Sequence, residues 1–396
     1  MAEFRGYRRE NGSIGIRNHV AILPTSVTAS ALAERIATEA GEGARATPHQ
    51  MGVQQLEPAR KQTERVLVGT GRNPNVGAAL VVELGTESID AEAIADQISE
   101  SGKPVETLSI RDSGGTTPAI KSGKKQVAAL LDAVKTTRRE KADASELIFA
   151  VECGGSDATS GIAANPAVGN ACDRVVESGG TACFSETPEF IGAEHILADR
   201  CTDERTKAKL LERVEERENL AHLMGVDFRG AQPSPGNQEG GLTTIEEKSL
   251  GAISKGGTTS VRDIVEYAEP LPKGSGLVLM DTPGYDVESV VGKVAGGAQV
   301  VAFTTGRGST TGNPIAPVIK VTGNPLTWKR MSNNMDINAS TVIDGESLAT
   351  VGEQIYETLL AVADGQRTGS ERRRLEEFAI NEIQPQQLDD SRRYAR

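Results

Sequence analysis

The most chemically loaded stretch of this 396-residue chain is IFAVECGGSD, where an apolar run ends abruptly in Glu152, Cys153, two glycines, Ser156 and Asp157. A buried strand with such an ending presents a reactive or ligating cluster. Glu152 and Asp157 can hold a hard divalent cation through oxygen, or one of them can act as a base once its pKa is raised. Asp157 has a plainer competing role, as the cap of the helix that follows. Downstream, Glu186 and Glu189 stand three residues apart and share a helix face, so they can ligate together. His195, alone on the next helix, reads as packed or solvated. Glu247 and Lys248 pair an acid with a lysine in a glycine-punctuated segment: the lysine can bind a substrate carboxylate or exchange protons if desolvated, and the alternative is a surface ion pair. Arg307, in TTGRG after an apolar run, has the planar fork that suits a carboxylate, and MDIN (335–338) adds two more oxygen-rich side chains.

These residues need elements to position them, and the first half of the chain has a βα rhythm. Strands are expected over 19–25, 44–48, 76–84, 105–110, 147–151 and 181–184, with helices over 29–40, 56–68, 91–101, 120–135, 166–177 and 189–198. Strands separated by helices run parallel and bind ligands at their carboxyl ends. Asn18 to Thr28, His49, Thr86, Glu87 and Glu152 to Asp157 all fall at or near such ends, which predicts one shared crevice. A charged amphipathic helix over 202–223 and the polar loop after it mark the expected domain boundary. The second half then offers strands over 276–280, 299–303 and 317–321 and helices over 261–267, 286–294 and 348–363. The expected fold is α/β: a parallel-sheet, flavodoxin/Rossmann-like first domain over 1–225 and a second, smaller α/β domain over 226–396 with glycine-rich site loops. The tail after Asp364 reads as a surface helix and a frayed terminus.

Composition narrows the function classes. A net charge of −12 opposes the counterion-releasing contacts that nucleic-acid binding needs. No run approaches the roughly 20 apolar residues of a membrane span, and the N-terminus lacks a signal-peptide core, so a cytoplasmic protein is expected. The four cysteines, all between 153 and 201, show no zinc-finger spacing and are expected to be free thiols. No Walker loop, GxGxxG, GxSxG or HExxH is present, which leaves nucleotide binding, serine hydrolysis and zincin chemistry unsupported.

The motifs taken together resemble the altronate and galactarate dehydratase family through nearly the whole chain. The resemblance rests on Gly6-Tyr7-Arg8, Gly15-Ile16-Arg17-Asn18, Asn73-Pro74-Asn75-Val76, Glu152-Cys153-Gly154-Gly155-Ser156-Asp157, Ser185-Glu186, Gly236-Asn237, Gly240-Gly241, Glu247-Lys248-Ser249-Leu250-Gly251, Thr304-Thr305-Gly306-Arg307-Gly308 and Met335-Asp336-Ile337-Asn338. It implies loss of water from a polyhydroxy acid to give a 2-keto-3-deoxy acid, assisted by Fe2+, Mn2+ or Mg2+. Under it Glu152, Asp157, Glu247 and Lys248 are catalytic, Asn18, Ser156, Asn237 and Arg307 bind substrate, and Glu186, His49 and Glu87 hold metal. It also implies a separate small subunit with an SAF-type domain, and a homo-oligomer. Thr28, Val53 and Thr86 stand where the resemblance leads one to expect cysteines, which shifts the site toward oxygen ligands. Hydrolysis of a C–C bond in a 2,4-diketo sugar acid, elimination of sulfite, and an inactive ligand-binding subunit are the alternative readings.

Overall fold

The computed structural model describes residues 2–383 except Ser275. Its strands are β1 (Glu3–Arg8), β2 (Ile14–Gly15), β3 (His19–Pro24), β4 (Ala44–Ala46), β5 (Val76–Glu83), β6 (Val105–Ser109), β7 (Arg139–Asp143), β8 (Ile148–Cys153), β9 (Thr181–Phe184), β10 (Val261–Val265), β11 (Gly276–Met280), β12 (Val300–Thr305), β13 (Val318–Thr322) and β14 (Ile337–Asn338). They form a parallel four-stranded sheet β4-β3-β5-β6, a parallel seven-stranded sheet β10-β11-β9-β8-β12-β13-β14, and a small antiparallel sheet β2-β1-β7. Strands such as IFAVEC and GLVLM are buried along their whole length. That uniform burial is the mark of parallel strands covered by helices on both faces.

The α/β class and the parallel sheets agree with expectation, but the sheets do not divide at 225/226. β8 and β9 hydrogen-bond into one sheet with β10 to β14, so the division between sheets falls before β8 and the second unit is the larger. The helix between 204 and 223, whose charged sequence suggested a boundary, packs on the outside of that unit, with only Thr206, Leu210, Val214 and Ala221 buried. The helix expected over 261–267 is instead β10, at the edge of the sheet. Its VRDIV sequence buries three of five residues and pairs with β11; Val261, Ile264 and Val265 are β-branched and suit a strand, and the place beside β11 that they fill exists only in the folded sheet. Among the described residues no helix is long and apolar enough to cross a membrane.

The two parallel sheets are locked by the residues of the NPNV motif. Asn75 accepts from the Ile16 amide at 2.9 Å and donates to the carbonyls of Gln299 at 2.8 Å and Ile315 at 3.2 Å. Asn73 donates to Val294 and Ala298. Gly15 is required there because a Cβ would lie 2.0 Å from the Pro74 carbonyl oxygen. A shared core, with Leu23, Val76 and Val81 from the first unit against Ile148, Val278 and Val301 from the second, fills the space between them.

The first unit holds three of the expected site residues in structural roles, Glu87 and His49 at the carboxyl ends of its sheet and Asn18 at the opposite end. Glu87 turns back and accepts from the hydroxyls of Thr25 and Ser26 and the amides of Leu84, Gly85 and Thr86. Burial works against its charge, but the Thr25 hydroxyl and the amides prevail and hold its pKa down to about 2. Every lone pair needed for a metal is already engaged. His49 uses both ring nitrogens, one with the Pro24 carbonyl at 2.7 Å and one with the Met51 amide at 3.1 Å. Asn18 lies at the start of β3, where it accepts from Arg9 and donates to Val134. These hydrogen bonds give all three a part in holding the fold together, and none of the three lines the cleft described below. Burial lowers the His49 pKa to about 4, against the weaker pull of the Pro24 carbonyl. The folded state thus keeps the ring neutral while the unfolded chain takes up a proton below about pH 6.5. Stability present above pH 6.5 should fall, by at most about 3 kcal/mol, as pH drops to about 4. Denaturant titrations of His49→Asn should show that dependence flattened in this window, and an unchanged slope would refute the assignment.

Candidate functional site

The strand order of the seven-stranded sheet reverses at β8, with β9 on one side and β12 on the other. A crevice opens at such a reversal, beyond the carboxyl ends of the strands. A cleft of about 450 Å3 lies there, lined by Cys153 to Ser156 after β8, Glu189 after β9, Asp286 after β11, Arg307 after β12, and Gln232, Ser234, Asn237 and Lys248 from the intervening loops.

Its floor is a buried network of charge. Glu152 is fully buried and its Oε2 accepts from Lys293 and, at 2.7 Å, from Ser289. Lys293 also donates to the Val151 carbonyl and to Ser185. Glu186 Oε2 accepts from Lys255 at 2.6 Å and from the Cys153 amide at 3.2 Å. Glu189 Oε2 accepts from Lys255 at 3.0 Å and from the Cys153 thiol at 3.0 Å, and its Oε1 lies 3.5 Å from Lys248. Both Lys255 and Lys293 have side chains with no exposure at all. Glu186 sits at φ 74°, in the left-handed region that non-glycine residues seldom adopt. Strain of order 1–3 kcal/mol at such a residue persists only where its surroundings enforce it. Here the Thr282 hydroxyl, 2.9 Å from the Glu186 amide, and Lys255 do so.

Two atoms in this network stand out. Oε1 of Glu152 and Oε1 of Glu186 are buried with no hydrogen-bond partner among the described residues. Together with Asp286 these carboxylates offer oxygen atoms within 4.8 Å of one another. Each glutamate thus has one oxygen held by a buried lysine and the other unpaired. Gly154 lets Asp286 approach, because a Cβ there would lie 2.0 Å from its Oδ2. Burial, and then the charge of Glu152 and Glu189, pushes Glu186 well above the usual carboxylate range. Burial, with the charges of Glu186 and Glu189, pushes Asp286 up to about 7. The unpaired buried oxygens and the three-carboxylate donor set fit a divalent metal held by Glu152, Glu186 and Asp286.

The other expected residues divide. Lys248 enters the cleft, donating to Gln232. Ser156 and Asn237 line it and are joined by a bond from the Asn237 amide to the Ser156 carbonyl. Arg307 reaches its rim, tied to Gly236 and Glu239. Asp157 and Glu247 do not join the network. Asp157 caps the helical turn after it, accepting from Thr159 and Ser160, and takes the Asn324 amide on its other oxygen. Glu247 lies in the first turn of the helix Ile245–Ile253 and accepts from the Thr243 amide and hydroxyl. His195 is exposed. Lys255, Lys293 and Asp286 were not singled out from the sequence. A signal existed for Lys293, the lone cation in VESVVGKVAGG, where a helix otherwise buries its whole apolar side.

Removing one partner of a buried pair leaves an uncompensated charge, at a cost of about 3–5 kcal/mol. Lys293→Met should lose stability on that scale in denaturant titrations, and Glu152→Gln in the same chain should recover most of it. A neutral single variant would show that the pair does not hold the floor together.

Comparison with known proteins identifies the family. The family model described as D-galactarate/altronate dehydratase, C-terminal, matches residues 144–386, the unit that holds the cleft. The model for the second domain of D-galactarate dehydratase/altronate hydrolase matches residues 6–135. The chain is 38% identical to the (2R)-sulfolactate sulfo-lyase subunit beta of Chromohalobacter salexigens, over 96% of this chain and 97% of that one. It is 34% identical to the altronate dehydratase of Escherichia coli over 96% of this chain and 77% of the relative. It is also 36% identical to the L-threo-forming galactarate dehydratase of that organism, over 78% and 60%. On the match of its larger unit and on these relatives, this chain belongs to the D-galactarate/altronate dehydratase family.

Proposed function

We propose that this chain is the catalytic subunit of a cytoplasmic, metal-dependent hydro-lyase that removes water from a sugar acid and yields a 2-keto-3-deoxy acid. The observation that carries the reading is the lysine-braced carboxylate floor, with two unpartnered buried oxygens, beneath a cleft whose walls are polar. Its all-oxygen donor set suits Mn2+, Mg2+ or Fe2+. Glu152, Glu186 and Asp286 would hold the cation, which would supply positive charge against the negative charge that develops on the substrate carboxylate as the α-proton leaves.

The remaining roles fall to the chain's own groups. Ser156, Gln232, Ser234 and Asn237 offer hydroxyl and amide partners for a polyol, and Arg307 at the rim can take a distal carboxylate or hydroxyl. Glu189 is the cleft carboxylate outside the cation trio, and Lys255 and Lys248 outweigh its burial and keep it ionised. On this reading Glu189 takes the proton from C2, while Lys248, 3.5 Å from it, gives a proton to the departing C3 hydroxyl. Water leaves, and the enol that remains takes a proton at C3 to become the keto acid. Elimination of sulfite needs the same proton abstraction with a different leaving group. It is favoured as a second reading by the near-full-length match to a sulfo-lyase subunit. That relative's designation as a beta subunit also supports a separate small subunit for this chain.

The test is a substrate screen on the chain loaded with each metal, with and without a small subunit, reading products by mass. A product lighter by one water establishes the hydro-lyase, and release of sulfite from sulfolactate establishes the second reading. Two products whose masses sum to substrate plus water would establish C–C hydrolysis instead. Ligand binding without turnover would leave a binding subunit. Glu189→Gln and Lys248→Met should each lower kcat by about two orders of magnitude or more, whereas Glu247→Gln should keep the wild-type rate. Wild-type rates in the first two variants would overturn the assigned roles.

A further inference from the structure

A second set of metal-type donors converges in this centre, and a lysine occupies its middle. The Cys153 thiol, Glu186 and Glu189 offer ligand atoms within 4.8 Å of one another. Nζ of Lys255 lies 2.9 Å from the sulfur, 2.6 Å from Glu186 Oε2 and 3.0 Å from Glu189 Oε2. Three partners match the three N–H donors of an ammonium, and two of them are carboxylates. The position is also closed. Lys255 has no exposed surface, and Gly256 beside it lies so close to the Phe184 ring that a Cβ there would fall 2.9 Å from it. Glu186 belongs to both donor sets, with Oε2 on Lys255 and Oε1 free beside Glu152 and Asp286. A carboxylate that bridges two cations is divided in the same way.

We infer that Lys255 is a built-in cation, its ammonium standing where a second metal ion would sit among Cys153, Glu186 and Glu189. A tethered ammonium cannot dissociate, and it leaves the thiol protonated on Glu189 rather than bound as a thiolate. Lys255 is therefore a positioning residue that holds the Glu189 carboxylate and the bridging Glu186. The further consequence, that the working centre takes one exchangeable divalent ion rather than two, rests on the functional reading above; the placement of the ammonium does not.

Lys255→Ala removes the ammonium and leaves a thiol and two carboxylates around the vacated space, a donor set suited to a soft divalent ion such as Cd2+. Titration with Cd2+, followed by calorimetry and ultraviolet absorption, should give one more bound equivalent than wild type. That equivalent should bring a thiolate-to-cadmium charge-transfer band, absent from wild type and from Lys255→Ala/Cys153→Ser. A folded Lys255→Ala chain that binds no more Cd2+ than wild type, or binds it without the Cys153-dependent band, would overturn the inference. If wild type binds no divalent ion while Lys255→Ala gains one with the band, the inference stands and the functional reading falls. If the variant does not fold alone, refolding is the readout. Recovery with Cd2+ but not Mg2+, lost on Cys153→Ser, supports the built-in cation, and no recovery refutes it.

Discussion

Carboxylates cannot share a dry crevice without positive charge, because each ion taken out of water costs several kcal/mol that only close counter-charge offsets. Here four of them are gathered at the carboxyl ends of the strands, Glu152 within the end of β8 and Glu186, Glu189 and Asp286 beyond β9 and β11. Lys293 and Lys255 meet that requirement from two directions. Lys293 comes from the helix Asp286–Ala295, which must therefore lie against β8, and Lys255 comes from the turn Ser254–Gly256 beneath Phe184. The left-handed backbone at Glu186, the absent side chain at Gly154 and the hydroxyl relay of Ser185, Thr282 and Ser289 all serve to bring these charges within reach.

The first unit contributes differently. Its own sheet has the reversal at which α/β proteins bind ligands, between β3 and β5. Glu87 fills that place with an internal carboxylate held by Thr25, Ser26 and three successive amides. The oxygen-rich replacements noted in the sequence belong to this plug or lie next to it: the Thr28 hydroxyl bonds Ser26, and the Thr86 amide bonds Glu87. Binding chemistry is thus concentrated in the larger unit, while the smaller is fixed to it by Asn73, Asn75 and a shared core. The family motifs divide accordingly. ECGGSD and SE supply site groups, whereas NPNV and the GIRN segment form the joint between sheets.

Much of this was legible beforehand. The parallel strands around Ile148–Cys153 and Gly276–Met280 could be read because continuous apolar runs bounded by glycine have few alternative folds. Glu152 and Glu186, at or just past strand ends, and Lys248, in the helix Ile245–Ile253, stand out in the sequence as polar groups and all three lie at the cleft or its floor. Asp157 and Glu247 carry a similar local signal but are engaged elsewhere: Asp157 caps the helical turn after it, and Glu247 reaches back to the Thr243 amide and hydroxyl.

The sequence by itself therefore determined the class of fold, the family, and the strand end around which the site forms, because those follow from periodicity and from short motifs that act over a few residues. Only the tertiary structure decided which sheet each strand joined, that β10 is a strand, and which lysine neutralises which carboxylate. Lys293 is 141 residues from Glu152, and Lys255 is 69 from Glu186. Charge pairing across such separations is set by the packing of whole elements, and no local pattern encodes it.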